Sequence, residues 1–396
     1  SALGVLRERN FAPFFVGNLL SNCGTWFQNI AQALLIYRLT QSSFLVGVAN
    51  FAQFAAVILL APWAGAAADR FDRRRLIVAT QVGAALVTGA LAALAAFGAD
   101  SVAVVIGLAL LLGITTAFAT PALQAVLPAL VPREELGAAV AMNSVTFNLA
   151  RAIGPVAGAL VVARLGIPWA FGLNALSYLA LIVAMLVVTP HPPPEREGAK
   201  EKPRLRDSLR MLGARRDLAV LLGVVAAVSI ALDPVTTLGP AFATRVFHHS
   251  DTVAGYLIGA FGVGAVTASV VPLGHPHRPY RLIATMLGLL GTGMVGFAFS
   301  PVLGAAYAAL AVAGFGYLSG QTRATTLLQL GVEDHERGRI MALWSMAFLG
   351  SRPVASLLDG AIASAAGPRV ATVAMTVPVF AAMGVLLLRP PREGTS

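Results

Sequence analysis

A single cysteine, Cys23, occurs in 396 residues, which excludes an internal disulfide and a cysteine-based metal set. Charge is scarce as well: Asp, Glu, Lys and Arg make up 12 % of the chain against 57 % hydrophobic residues, and the mean hydropathy is +0.77. A soluble domain carries about twice that share of charge, so the chain reads as an all-α integral membrane protein whose first partner is the lipid bilayer. No Gly-x-x-x-x-Gly-Lys-Ser/Thr loop is found, which argues against a self-contained nucleotide-driven pump. No nucleophile, base and acid gather in one region either, so an enzyme is not expected, nor a cofactor or metal. The formal charge of +10 does not point to nucleic acid, because the basic residues are spread through short loops rather than gathered on one face.

What the chain does have is a series of apolar spans, at about residues 11–37, 44–64, 76–98, 101–121, 138–163, 169–189, 217–244, 252–273, 281–299, 302–327, 338–365 and 368–388. Each approaches or exceeds the length that crosses a bilayer as a helix, which makes about twelve transmembrane helices. No cleavable leader is evident: Arg7 and Arg9 precede a long first span that is followed by more spans. With the N-terminus in the cytoplasm, the inside loops hold most of the arginines, including Arg70, Arg73, Arg74, Arg75, Arg133, Arg215, Arg216, Arg278, Arg281, Arg337 and Arg339. The outside loops hold only Arg38, Arg164, Arg245 and Arg369, so both termini are expected in the cytoplasm.

The chain divides into residues 1–189 and 217–396, joined by a cytoplasmic linker over 190–216 that is proline-rich at Pro192, Pro193 and Pro194 and then strongly charged. A short amphipathic surface helix is predicted over 204–212. At an offset of 201 residues, Gly137, Ala141, Ser144, Arg151 and Gly166 match Gly338, Ala342, Ser345, Arg352 and Gly367. The fifth span therefore corresponds to the eleventh, and two related six-helix bundles are the expected architecture.

The stretch 65–75, with Gly65, Asp69, Arg70, Arg73, Arg74 and Arg75, is a dense charge cluster between charge-free spans. Its Gly-x-x-x-Asp-Arg-x-x-Arg-Arg spacing resembles the loop between the second and third helices of the major facilitator superfamily. That resemblance implies a cytoplasmic latch between the halves: Gly65 lets helices approach, and Asp69 meets the positive dipole end of another helix. Gly24-Thr25-Trp26-Phe27-Gln28, the stretch 151–158, the stretch 171–178 and the stretch 337–343 extend the resemblance over nearly the whole chain. They are similar to the bacterial exporter branch that includes macrolide, multidrug and siderophore efflux proteins. Gly154-Pro155-x-x-Gly158 resembles the antiporter motif of the fifth helix, implying a close, bent interface between the bundles. Ala150 and Ala159 stand where glycines are common in that motif, and the fourth span lacks the arginine of the usual basic proton relay.

Polar groups inside the spans supply the candidate site. Asn18, Asn22, Thr25, Asn29 and Gln32 share one narrow helix face, and are read either as a hydrogen-bonded helix contact or as the wall of a water-filled cavity. The family places helices one, four, seven and ten around a central cavity. Thr115, Thr116, Thr120 and Gln124 in the fourth span fit that placement, as do Ser229, Asp233 and Thr236 in the seventh. In the tenth, Ser319, Thr322, Arg323 and Thr326 fit it. Of the acids, only Asp233 and Asp359 lie well inside spans. Asp233, before Pro234, is a proton carrier or a structural partner at a helix bend. Asp359 is a reserve carrier that pairs with Arg352 or faces outside water. Arg151 and Arg352 either bind an anionic substrate or serve where the bundles meet.

The resemblance implies a monomeric secondary exporter of amphipathic small molecules in the bacterial inner membrane, working by alternating access and proton antiport. Two other readings stand beside it: a lipid or lysolipid translocator, and a non-transporting membrane sensor or scaffold.

Overall fold

The computed structural model describes residues 4–98, 101–189, 212–213, 215–271, 278–333 and 336–388. Most of the linker, including all but Leu212 of the predicted surface helix over 204–212, lies outside the described residues, as do the side chains of Arg151 and Pro155.

Twelve long α-helices are found among the described residues. The first six are α1 (Phe11–Thr40), α2 (Ser43–Arg70), α3 (Arg73–Phe97), α4 (Val102–Val126), α5 (Leu136–Leu165) and α6 (Ile167–Val187). The second six are α7 (Arg216–Thr237), α8 (Val253–Val270), α9 (Pro279–Phe299), α10 (Leu303–Leu330), α11 (Arg337–Ala366) and α12 (Pro368–Leu388). Ten helices are long and apolar enough to cross a membrane. α1 and α5 are not among those ten, and in α1 the asparagines and glutamines are what lower the hydropathy. α7 is prolonged by a helical turn at Gly239–Ala241 and a π-helical turn at Phe242–Val246.

The duplication read from scattered matches extends to element boundaries. α5 and α11 differ by 201 positions at both ends, as do α6 and α12. The residues that divide each pair, Gly166 and Gly367, have φ of 95° and 90°, a conformation that glycine adopts without the penalty of a Cβ. The two glycines found by sequence matching are therefore the same backbone device used twice.

Short loops are set by local capping. Ser42 accepts a hydrogen bond from the Leu45 amide at the start of α2, and Asp72 accepts one of 2.8 Å from the Arg75 amide at the start of α3. The acid that caps α3 is thus Asp72, while Asp69 lies exposed in the last turn of α2.

Within the first half, α1 packs on α5 and α6, α3 on α4 and α6, and α2 on α4. In the second half, α10 packs on α8 and α9, α9 on α12, and α7 on α11 and α12. The halves meet where α2 lies along α11 and α5 along α8. Counted along each half, α2 corresponds to α8 and α5 to α11, so the two contacts are copies of each other. At the first of them a Cβ on Gly47 would collide with the Ser356 carbonyl, and one on Gly360 would lie 2.7 Å from the Ser43 carbonyl. Backbone meets backbone there, which is how helices associate when lipid supplies no hydrophobic drive.

Two expectations are corrected here. Gly154 and Gly158 do not form the interface between bundles. A Cβ on Gly154 would meet the Trp26 ring and one on Gly158 would lie 3.0 Å from Phe27, so both glycines seat α5 on α1 of the same half. An α5 residue that does face the other half is the next one round the helix, Ala159, against Gly255 of α8. Gly65, for its part, has no atom within 4 Å of where its Cβ would be, so in this conformation it permits no close approach.

Candidate transport cavity

The polar face of α1 divides into two parts with different surroundings. Asn18, Asn22, Thr25 and Asn29 line a cavity of about 290 Å³. Asn18 donates to Asn143 on α5 at 3.1 Å, and Asn22 donates to the Asn18 carbonyl at 2.7 Å. Gln32, one turn further on, is buried outside the lining and donates to Gln53 of α2 at 3.1 Å, while accepting from Gln28. The stripe is therefore both a cavity wall and a helix contact, with the change between Asn29 and Gln32.

From α4, Thr115, Thr116, Thr120 and Gln124 complete one side of the cavity. The three threonine hydroxyls donate to carbonyls of their own helix, Thr120 to Thr116 at 2.8 Å, leaving oxygen lone pairs available to the cavity. α7 contributes less than expected: its cavity residue is Leu232. Ser229 is buried and donates to the Phe348 carbonyl at 2.6 Å, and Thr236 donates to the Asp233 carbonyl at 3.0 Å. In α10, Thr322 and Arg323 are not part of the lining, and Tyr317 is the residue that reaches it.

Sequence reasoning missed the aromatic side of the cavity, made by Trp26, Phe54, Phe147, Tyr178, Tyr317 and Phe348, because rings in apolar spans look like ordinary packing. It also missed Gln53, Gln81 and Asn143. These were detectable as uncharged polar groups in spans where each unsatisfied group is costly. The buried Oε1 of Gln81 has no hydrogen-bond partner among the described residues, which suits a wall that bonds to contents rather than to protein.

Arg352 also lines the cavity, with its guanidinium carbon 4.3 Å from the centre of the Phe54 ring. The contact crosses from α11 to α2 and desolvates a cation against an aromatic face. Behind this end of the cavity, away from the lining, lie the two acids. Asp233 is buried and accepts from Ser356 of α11 at 2.9 Å and from Thr237 at 2.8 Å. Asp359 is fully buried, and neither carboxylate oxygen has a hydrogen-bond partner among the described residues. The expectation that it faces outside water is corrected: the close approach of α2 through Gly47 and Gly360 covers this stretch of α11.

Beyond the acids the halves are bonded together. Arg38 at the end of α1 pairs with Asp251, and its second contact to that carboxylate is 2.9 Å. Arg245 donates to the Gln41 carbonyl. Tyr37 and Thr244 share a bond of 3.0 Å in which Tyr37 is the donor, because Thr244 gives its proton to the Pro240 carbonyl. Asn50 of α2 donates to Thr237 of α7 at 3.1 Å. Ile30, Leu34 and Tyr37 bury with Val235, Leu238 and Phe242 in one apolar cluster at the same level. This end is called the far end, and the end that carries Arg73, Arg74 and Arg215 the basic end. There Arg73 donates to the Ala125 carbonyl at 2.8 Å and Arg74 to the Leu186 carbonyl. Both bonds stay within the first half, so in this conformation these two arginines brace their own bundle.

Comparison with known proteins agrees with this architecture. The chain is similar to a staphyloferrin A transporter of Staphylococcus aureus, at 26 % identity over 87 % of each chain. It is also similar to the enterobactin exporter EntS of Shigella boydii, at 27 % identity over 96 % of this chain and 91 % of that one. Among solved structures, a bacterial homologue of the human lysosomal transporter Spinster, inward-facing and occupied, superposes with a TM-score of 0.75 at 14 % identity, covering 99 % of both chains. The nucleoside transporter NupG gives 0.72 at 10 % identity, covering 97 % of this chain and 100 % of that one. At such identities these two speak for the fold alone. The family described as transmembrane secretion effector matches residues 1–394, and the chain belongs to it, as a transporter of the major facilitator superfamily and not an enzyme.

Proposed function

We propose that the protein is a proton-driven exporter of amphipathic small molecules that works by alternating access as a monomer in the bacterial inner membrane. The observation that carries this reading is the cavity itself, with amide and hydroxyl groups on one wall, aromatic rings on another, a cation at its inner end, and a seal of interhelix bonds beyond it. Such a lining suits a cargo that is part aromatic and part polar or anionic, of the drug, macrolide or siderophore-like kind. The export direction and the siderophore-like option draw support from the relatives, one an enterobactin exporter and one a staphyloferrin A transporter.

In this reading the basic end is cytoplasmic, by the excess of arginine in its loops, and the conformation is the one open to the cytoplasm. Residues 1–189 and 217–396 rock against each other about α2–α11 and α5–α8, with 190–216 as the tether. The segment with Gly65, Asp69, Arg70, Arg73 and Arg74 latches the cytoplasmic face only in the opposite state, which accounts for Gly65 having open space here. Asp233 and Asp359 are the coupling groups, since buried ionisable side chains in a membrane are costly unless they serve a purpose.

The test is reconstitution in liposomes with an internal pH dye and enterobactin, the cargo named for one relative. Cargo-dependent proton movement opposite to enterobactin flux is the expected result. Enterobactin flux without proton movement would remove the coupling. Competition by lysolipid instead of by enterobactin would move the protein to the lipid-translocator reading, and absence of any flux to the scaffold reading.

A further inference from the structure

The two buried acids differ in every contact they make. Asp233 is held: hydroxyls from Thr237 and Ser356 donate to its two oxygens, and the charge of Arg352 reaches it. Asp359 follows Ser356 by three residues on the same helix, so it stands one turn along α11 from the group that bonds Asp233. It is fully buried with no donor on either oxygen among the described residues, and it is near enough for the Asp233 charge to act on it. The other charged side chains of α2, α7, α10, α11 and α12 among the described residues are Asp69, Arg70, Arg216, Asp217, Arg323, Arg339, Arg352 and Arg369. Of these, Arg352 faces the pair, two turns toward the basic end; Asp69, Arg70, Arg216, Asp217, Arg339 and Arg369 stand in the terminal turns of their helices, and Arg323 is well along α10 toward the basic end. Tyr317 of α10 is one of two tyrosines that line the cavity, Tyr178 of α6 being the other.

We infer that Asp233 and Asp359 form a carboxyl pair with divided roles, in which Asp233 is a fixed anion that ties helices together and Asp359 carries the exchangeable proton. Two adjacent carboxylates cannot both be ionised cheaply away from water, and the one without donors is the one that holds the proton. The fixed member is also wired to the other half, because Thr237, which donates to Asp233, accepts from Asn50 of α2. When Asp359 gives its proton to water in the cavity, two anions face each other across α7 and α11. Their repulsion pushes on the Asn50–Thr237 and Ser356 contacts that hold the far end shut. With the far end open, Asp359 takes a proton from water on that side, the pair again bears one charge, and the seal re-forms. The cycle moves one proton inward for each opening, the direction that an exporter by antiport requires.

The inference rests on the proton-antiport reading, but its test needs no cargo. Infrared spectra of the full chain in lipid nanodiscs should show the carbonyl band of a protonated carboxylic acid at neutral pH. The band should vanish in Asp359→Asn, persist in Asp233→Asn, and move in Asp359→Glu. A band that survives Asp359→Asn unchanged, or that is lost only in Asp233→Asn, overturns the assignment, whatever the liposome assay gives. Spin-label distances across the far end should lengthen in the wild type as pH rises and stay short at every pH in Asp359→Asn. In Thr237→Val, which leaves both acids in place, that pH dependence should disappear; if it stays at wild-type size, the link to α2 is wrong.

Discussion

Arg352 lays its guanidinium over the ring of Phe54, 4.3 Å from the ring centre, and so joins the second half of the protein to the first at the inner end of the cavity. A guanidinium stacks on a ring and presents a planar fork to an anion, which a lysine does not reproduce. Arg352→Lys should therefore weaken cargo binding by about 2- to 30-fold, for a desolvated cation–π contact of roughly 0.5–2 kcal/mol. Phe54→Leu should weaken it by a similar factor, and the double variant should be little worse than either alone. Equilibrium binding of enterobactin to the purified proteins measures this, and simple additivity of the two effects would separate the residues.

Cysteines at Asn22 and Asn29, in a Cys23→Ala background, should react with a small polar thiol reagent, because both positions line the cavity. A cysteine at Gln32 should be protected in the same conformation, since that side chain is buried against Gln53. Equal labelling at all three positions would mean that the polar wall continues past the point where α1 closes against α2.

Gly47→Ala puts a methyl group into the carbonyl of Ser356, and helix backbones cannot yield as a flexible side chain does. Overpacking of this kind costs about 1–3 kcal/mol, which should appear as a lowered melting temperature in detergent. Gly65→Ala, with open space around it, should melt like the wild type yet slow transport, because the latched state is where that space is needed. Normal transport by Gly65→Ala would argue against the latch.

Asp72→Ala should destabilise the start of α3 by about 0.5–2 kcal/mol through loss of its cap. Asp69→Asn, outside that cap, should leave the start of α3 capped and reduce transport. Thermal unfolding and flux measured on the same preparations distinguish the two carboxylates, and a matching pattern in both variants would merge their roles.

The pair Arg38 and Asp251 is partly exposed, with Arg38 at 44 %, so its loss should shift the far-end equilibrium by only about 0.2–1 kcal/mol. Arg38→Asp should bias spin-label distances toward the open far end, and adding Asp251→Arg should restore them.

The helices were legible in the sequence because charge-free runs of this length, bounded by arginines, suit a bilayer and little else. Both buried acids were legible too, since a carboxylate within a span stands out against its surroundings. What stayed unread is direction around each helix. Gly154 and Gly158 were visible as a small-residue stripe, but periodicity does not say whether α1 or α8 fills it. Asp359 was placed by its depth along α11, and burial depended on α2 crossing over it. The cap of α3 by Asp72 went unread because the resemblance drew attention to Asp69 of the same loop. The aromatic wall was hidden for a different reason: Phe54 and Phe147 are as hydrophobic as the lipid-facing residues beside them, and only the assembled bundle shows which way they point.

The matched boundaries of α5 and α11, and of α6 and α12, show two copies that have kept one backbone plan, yet their contents have parted. The asparagines, threonines and glutamines that face the cavity are carried by the first copy, whereas both sealed carboxylates belong to the second. In the proposed mechanism this layout places most polar recognition groups in one copy and the coupling acids in the other, with Arg352 as the second copy's charged contribution to the cavity. On that proposal, a change of cargo is met mainly by substitutions in residues 1–189, and the paired acids in residues 217–396 need not change with it.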